Sequence, residues 1–155
     1  MSEQLRAYCF NNFYLQGIHA GIQSAHSLME MAVKYKGDVF SSAYTPSVMF
    51  SQWAENHKTI IVLNGGMQSD LENLIALLDR DECTLPWDAF YEEKAALNGA
   101  LTNVGVIVPE RIFDPVVAKK EEDSEYGFIG ESYFPNLTPW ELEFHTLMKK
   151  CPLMR

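Results

Sequence analysis

The sequence predicts an α/β domain built on a four-stranded mixed sheet flanked by helices. Three observations point there. Four short segments rich in apolar or β-branched residues read as strands, namely Leu5–Phe10, Lys58–Leu63, Trp87–Glu92 and Leu101–Val108. Segments with helical apolar spacing separate them, giving the order β-α-α-β-α-β-β. The chain has 155 residues and is 47% apolar, enough for one sizeable core.

The first strand, LRAYCF, leads into a long helix from about Gln16 to Lys36, with Gly37 as its terminator. At 100° per residue this helix carries two stripes. Ile18, Ile22, Ala25, Met29 and Ala32 fall within about 40° of one line and are expected to face the core. His19, Gln23, His26 and Glu30 fall on a line roughly 110° away, at the flank of the buried face. A flank can be half desolvated yet reachable, which suits recognition or proton transfer.

Thr45-Pro46 opens a second helix through Ser47 to Glu55, with proline at the first helical position. KTIIVL is the clearest strand and is expected to end at Asn64-Gly65-Gly66. Ser69-Asp-Leu-Glu72 reads as a capping box for a helix whose apolar face is Leu71, Leu74, Ile75 and Leu78. The strands at 87–92 and 101–108 follow, the last halted by Pro109.

Residues 1–110 therefore form the domain, and 111–155 a C-terminal extension with a terminal helix. Residues 110–135, with Pro115, Gly127, Gly130 and Pro135, read as an extended appendage; the run Glu121-Glu122-Asp123 reads as a solvated connection. Thr138-Pro139-Trp140-Glu141 is a second capping box, and Trp140, Phe144, Leu147 and Met148 form one stripe expected to pack on the same domain.

Composition narrows the function. A net charge of −9, from 12 basic and 21 acidic residues, argues against DNA and lowers the expectation of a tRNA partner, because nucleic-acid affinity rests on basic surface. No run of 18 apolar residues exists, so no membrane span is expected. MSEQLRAY lacks the pattern of a secretory signal. Three scattered cysteines, Cys9, Cys83 and Cys151, fit a reducing, cytoplasmic setting.

No cofactor or metal is implied. His19 and His26 lie about 10 Å apart along a helix, against the three- or four-residue spacing of helical metal ligands; His57 and His145 lie in other segments. No nucleophile elbow, P-loop or dinucleotide fingerprint occurs. Of the adjacent carboxylates Glu92 and Glu93 at a strand end, only one can face a given site. Trp53, Trp87 and Trp140 lack basic neighbours and read as core.

The helix AGIQSAHSLME, then Trp53, the strand KTIIVL, the helix SDLENLIALL and the strand LTNVGVIVP resemble the peptidyl-tRNA hydrolase type 2 family over roughly residues 5–110. The resemblance is nearest to the family's divergent phage and bacterial members. It implies a four-stranded mixed sheet and metal-free hydrolysis of the ester joining peptide to tRNA. Gln23 and His26 match the family's helix motif, Thr102 its threonine opening the last strand, and Gly99 the preceding glycine. His19 stands where the family has lysine. The family's Asp-Ala-Gly-x-Thr-Gln segment aligns with residues 90–95, so its aspartate is absent unless Glu92 replaces it, and its threonine is Lys94.

Three functions follow. As an esterase, the protein would use His19 or His26 as base or electrostatic stabiliser, Glu92 as orienting carboxylate, and Gln23, Lys94 and Thr102 as contacts, with a His19–Glu92 pair replacing the family's Lys–Asp pair. As a binding protein, the same cleft would hold a nucleotide-type ligand or part of a host protein, a sequestering role. As a structural subunit, the terminal helix would make the functional contact with a protein partner or a second copy.

Overall fold

A computed structural model describes residues 3–37, 43–119 and 132–155. The run Glu121-Glu122-Asp123, Gly127 and Gly130 lie outside the described residues. The elements are β1 (Leu5–Asn12), α1 (Ile18–Lys34), α2 (Pro46–Gln52) extended by a π turn (Trp53–His57), β2 (Ile60–Gly66), α3 (Gln68–Leu78), β3 (Trp87–Tyr91), a short α4 (Lys94–Leu97) and β4 (Leu101–Pro109). A single turn α5 (Glu110–Phe113), two paired dipeptide strands β5 (Ala118–Lys119) and β6 (Ser132–Tyr133), and α6 (Pro139–Lys149) complete the chain.

The main sheet has the order β2-β1-β4-β3. β1 runs parallel to β2 and antiparallel to β4, and β3 is antiparallel to β4. The sheet is mixed, as the sequence predicts, with the carboxyl ends of β1, β2 and β3 at one edge beside the start of β4.

α3 and α6 cover one face. Leu71, Leu74, Leu77 and Leu78 of α3 are buried there. Gly65 lets that helix come close: a Cβ would sit 2.6 Å from Leu71 Cδ2 and 3.0 Å from Phe10 Cβ. α6 buries Trp140, Phe144 and Met148, with Phe144 edge-on to Phe10 and the Trp140 indole donating to Leu77 O at 2.9 Å. Thr138 caps α6 reciprocally: its Oγ1 accepts from Glu141 N at 3.1 Å, and its own N donates to Glu141 Oε1 at 3.0 Å. The terminal helix thus packs on the same core as the sheet. The tail beyond it shields the outer edge of β2, with Asn64 N donating to Pro152 O and Met154 N to Val62 O.

α1 covers the other face, and here the expectation fails. The residues it buries are Ala20, Gln23, Ser24, Ser27 and Met31. Ile18, Ile22, Ala25 and Met29 face solvent, and Ala32 is half-buried. The helix is rotated by about half a turn from the orientation its apolar stripe suggests. The sheet explains why. Under α1 it presents Cys9, Asn11, Asn103 and Gly105; a Cβ at Gly105 would meet Met31 Cε at 3.0 Å and Ser27 Cβ at 3.2 Å. Small side chains fit that close approach, and the Ser24 hydroxyl meets the asparagine amides. The flat, partly polar floor selects a small, polar helix face.

Other boundaries shift for local reasons. β1 runs two residues further, because Asn11 and Asn12 bury their amides in the sheet edge. β2 continues through Asn64-Gly65-Gly66, and Gly66 then turns the chain at φ 92°. α3 consequently starts before Ser69, with Asp70 rather than Ser69 capping it through Met67 N at 2.8 Å. α2 begins as expected, Thr45 Oγ1 accepting from Val48 N at 3.3 Å ahead of Pro46. The predicted appendage is less extended than expected, since Ile112 and Phe113 of α5 are buried.

The orientation of α1 is directly testable by chemical denaturation. Met31→Ala, in the core, is expected to cost about 2–5 kcal/mol, whereas Met29→Ala is expected to stay within about 0.5 kcal/mol of the parent.

Candidate functional site

The edge where β1, β2 and β3 end is where open α/β sheets place ligands. The side chains gathered there come from α1, β3 and β4. Gln23 and His26 lie one turn apart on α1 and share a side of it. β3 supplies Phe90 and, just past its end, Glu92; β4 supplies Thr102 and Asn103.

Gln23 is the hub. Its Nε2 donates to Glu92 Oε2 at 3.0 Å, and its Oε1 lies 3.0 Å from Thr102 Oγ1, which also reaches Phe90 O at 3.2 Å. A carboxylate only accepts, so the amide must turn its nitrogen to Glu92 and its oxygen to the threonine. Gln23 and Thr102 are buried, and Glu92 also accepts from Glu93 N at 3.3 Å through its other oxygen. His26 remains exposed, its ring stacked on Phe90 with centroids 4.3 Å apart and 9° between planes. Stacking holds that ring against Phe90 while the residue stays open to solvent.

A second, deeper layer supports the first. Asn103 Nδ2 donates to Asn11 Oδ1 at 2.8 Å and to Ser24 Oγ at 3.2 Å, while Ser24 Oγ donates to Ala20 O at 2.8 Å. Asn11 Nδ2 reaches Cys9 O at 3.2 Å. Burial pushes the Cys9 thiol up to about 12, against a smaller lowering by its hydrogen bond with Ser24. At neutral pH this sulfur is a packed thiol and not a nucleophile. Asn103 Oδ1, Asn12 Oδ1 and Ser27 Oγ are buried without a hydrogen-bond partner.

Of the residues singled out in the sequence, Gln23, Glu92 and Thr102 come together through direct hydrogen bonds, and His26 joins them through Phe90. His19 stands apart from Glu92's hydrogen bonds, in a shallow hollow of about 370 Å³ with Tyr14, Leu15, Gln16 and Leu97. Lys94 opens α4 and is exposed, with no ion pair among the described residues. Sequence reasoning overlooked Asn11, Ser24, Asn103 and Phe90. The signal was available: two asparagines at the end of one strand and one in another are polar residues where a buried strand should be apolar. Among the described residues no three His, Cys, Asp or Glu side chains converge as metal ligands. None of the described helices is long and apolar enough to cross a membrane.

Comparison with protein-family models and with curated proteins finds no match for the chain.

Gln23→Ala removes the hub and leaves Glu92 with one donor fewer. It is expected to lower stability by about 1–3 kcal/mol in urea titrations, more than the near-zero effect expected for the exposed His19→Ala.

Proposed function

We propose that the cluster of Gln23, His26, Glu92 and Thr102 is the site of a metal-independent esterase of the peptidyl-tRNA hydrolase type. The observation that carries this reading is the Thr102–Gln23–Glu92 chain, which joins three elements and holds one amide rigidly beside an exposed histidine. Ester hydrolysis needs a base for water and a donor for the developing oxyanion. His26 supplies the base: its ring nitrogen takes a proton from water as the water oxygen bonds to the ester carbonyl carbon. In this reading the second Nε2 hydrogen of Gln23 is the donor to the carbonyl oxygen, which becomes negative in that step. The ester C–O bond then breaks, and His26 returns its proton to the departing ribose oxygen. Glu92 and Thr102 are positioning residues that keep the Gln23 amide from rotating. In this reading Lys94 and His19 contact backbone phosphate further along the tRNA.

A nucleotide-binding role without turnover is the second reading, favoured by the His26–Phe90 stack, whose outer face suits a planar base. The charge of −9 and the carboxylates Glu92 and Glu93 beside the cluster weigh against a long RNA contact and fit a small ligand better.

The experiment is release of an N-blocked amino acid from its tRNA ester by the full chain in the presence of EDTA. Expected is turnover that falls at least about 100-fold in His26→Ala with an unchanged melting temperature. Absence of turnover in the parent protein overturns the esterase reading. In that case a rise in melting temperature with a nucleotide at high concentration, lost in Phe90→Ala, supports the binding role.

A further inference from the structure

The outer face of α1 is the largest unexplained feature of the molecule. Ile18 is 75% exposed, Ile22 44%, Met29 64% and Val33 61%, all along one line of a single helix. Lone exposed apolar residues are ordinary, but a continuous stripe marks a contact surface. Gly21 adds a second sign. It sits inside the helix, where glycine is less favourable than alanine, and a Cβ there would meet nothing within 4 Å. Nothing among the described residues needs that gap; a backbone or side chain approaching from outside would use it.

The spacing identifies the occupant. The four large residues are separated by four, seven and four positions, which reads the same in both directions. Laid antiparallel against itself, the helix sets Ile18 against Val33 of a second copy and Ile22 against that copy's Met29. Ala25 then lies beside the two-fold axis, where a small residue lets the helices close up. The polar flank is self-complementary too. In an antiparallel pair like flanks meet, so His19 of one copy lies within two positions of Glu30 of the other, twice over by symmetry. Charge agrees: residues 18–36 carry one acidic and two basic side chains, so they sum to +1 in a chain of net −9. Contact through this face brings two acidic molecules together where their repulsion is weakest.

We infer that the protein self-associates into a two-fold symmetric dimer through antiparallel packing of the α1 outer faces. α1 is about 25 Å long, so the stripe offers on the order of 500 Å² per copy, about 1,000 Å² in all. That is the lower bound for a specific interface, as fits a reversible dimer. The dimer leaves His26 and the Gln23 amide at the flank of the interface, with a partner's Glu30 brought toward His19. It stands independently of the esterase reading.

Sedimentation velocity on the full chain from about 2 to 500 μM tests it, at low and moderate salt. The expected result is a concentration-dependent shift from monomer to dimer, at least about tenfold weaker in Ile22→Asp with unchanged far-UV circular dichroism. Added salt is expected to strengthen association by screening the net charge. As a geometric check, Ala25→Cys in a Cys83→Ser, Cys151→Ser background is expected to form a disulfide-linked dimer with oxidised glutathione, while a cysteine at Glu72 on α3 is not. A parent protein that stays monomeric throughout, or a dimer equally strong in Ile22→Asp, overturns the proposal. So does equal cross-linking at both cysteine positions.

Discussion

The constraint on which the rest depends is the hydrogen-bonded contact between Ser24 of α1 and the asparagines Asn11 and Asn103 of the sheet. These groups are fully or almost fully buried, and breaking any one strands the others away from water. Because Ser24 must meet that pair, α1 can take only one rotation about its axis. Gly105 removes the last obstacle by letting Ser27 and Met31 press onto the strand. The helix is thereby fixed by polar groups, and the stripe of Ile18, Ile22, Met29 and Val33 is left outside.

Two consequences follow from that single rotation. Gln23, one residue before Ser24, is carried to the sheet edge, where Thr102 and Glu92 hold its amide and His26 rests on Phe90. At the same time Ile18, Ile22, Met29 and Val33 are turned to solvent as a continuous surface. The Gln23 cluster and the exposed stripe are thus two sides of one packing decision. The opposite sheet face is conventional: α3 and α6 bury leucines and aromatic rings there, and its energy is apolar burial. That face supplies stability, while the α1 face is specified by hydrogen bonds.

Much of the architecture was legible in the residues. The strands Ile60–Gly66 and Leu101–Pro109 were marked by β-branched runs, and α6 by the Thr138–Glu141 cap followed by Trp140 and Phe144. The rotation of α1 was not legible, because helical periodicity identifies an apolar stripe without saying what it touches. The usual inference that such a stripe faces inward assumes an apolar floor, and here the floor carries Asn11, Asn103 and Gly105. Gln23 and Thr102 were singled out through the family resemblance, and both are placed in one hydrogen-bonded chain. Glu92 accepts from Gln23 rather than from His19, and a sequence cannot distinguish two polar residues four positions apart on a helix flank. The second layer, Asn11 with Asn103, joins residues far apart in sequence and emerges only once β1 and β4 pair in register.

The most direct measurement of this account uses two native methionines, Met29 and Met31, two positions apart on α1. Dilute hydrogen peroxide, applied at low micromolar protein concentration, converts accessible methionines to sulfoxides, which peptide mass spectrometry resolves residue by residue. With the polar face of α1 against the sheet, Met29 oxidises rapidly and Met31 stays protected until the protein unfolds. Faster oxidation of Met31 than of Met29 in the folded protein would contradict the orientation, and with it the placement of the Gln23 cluster.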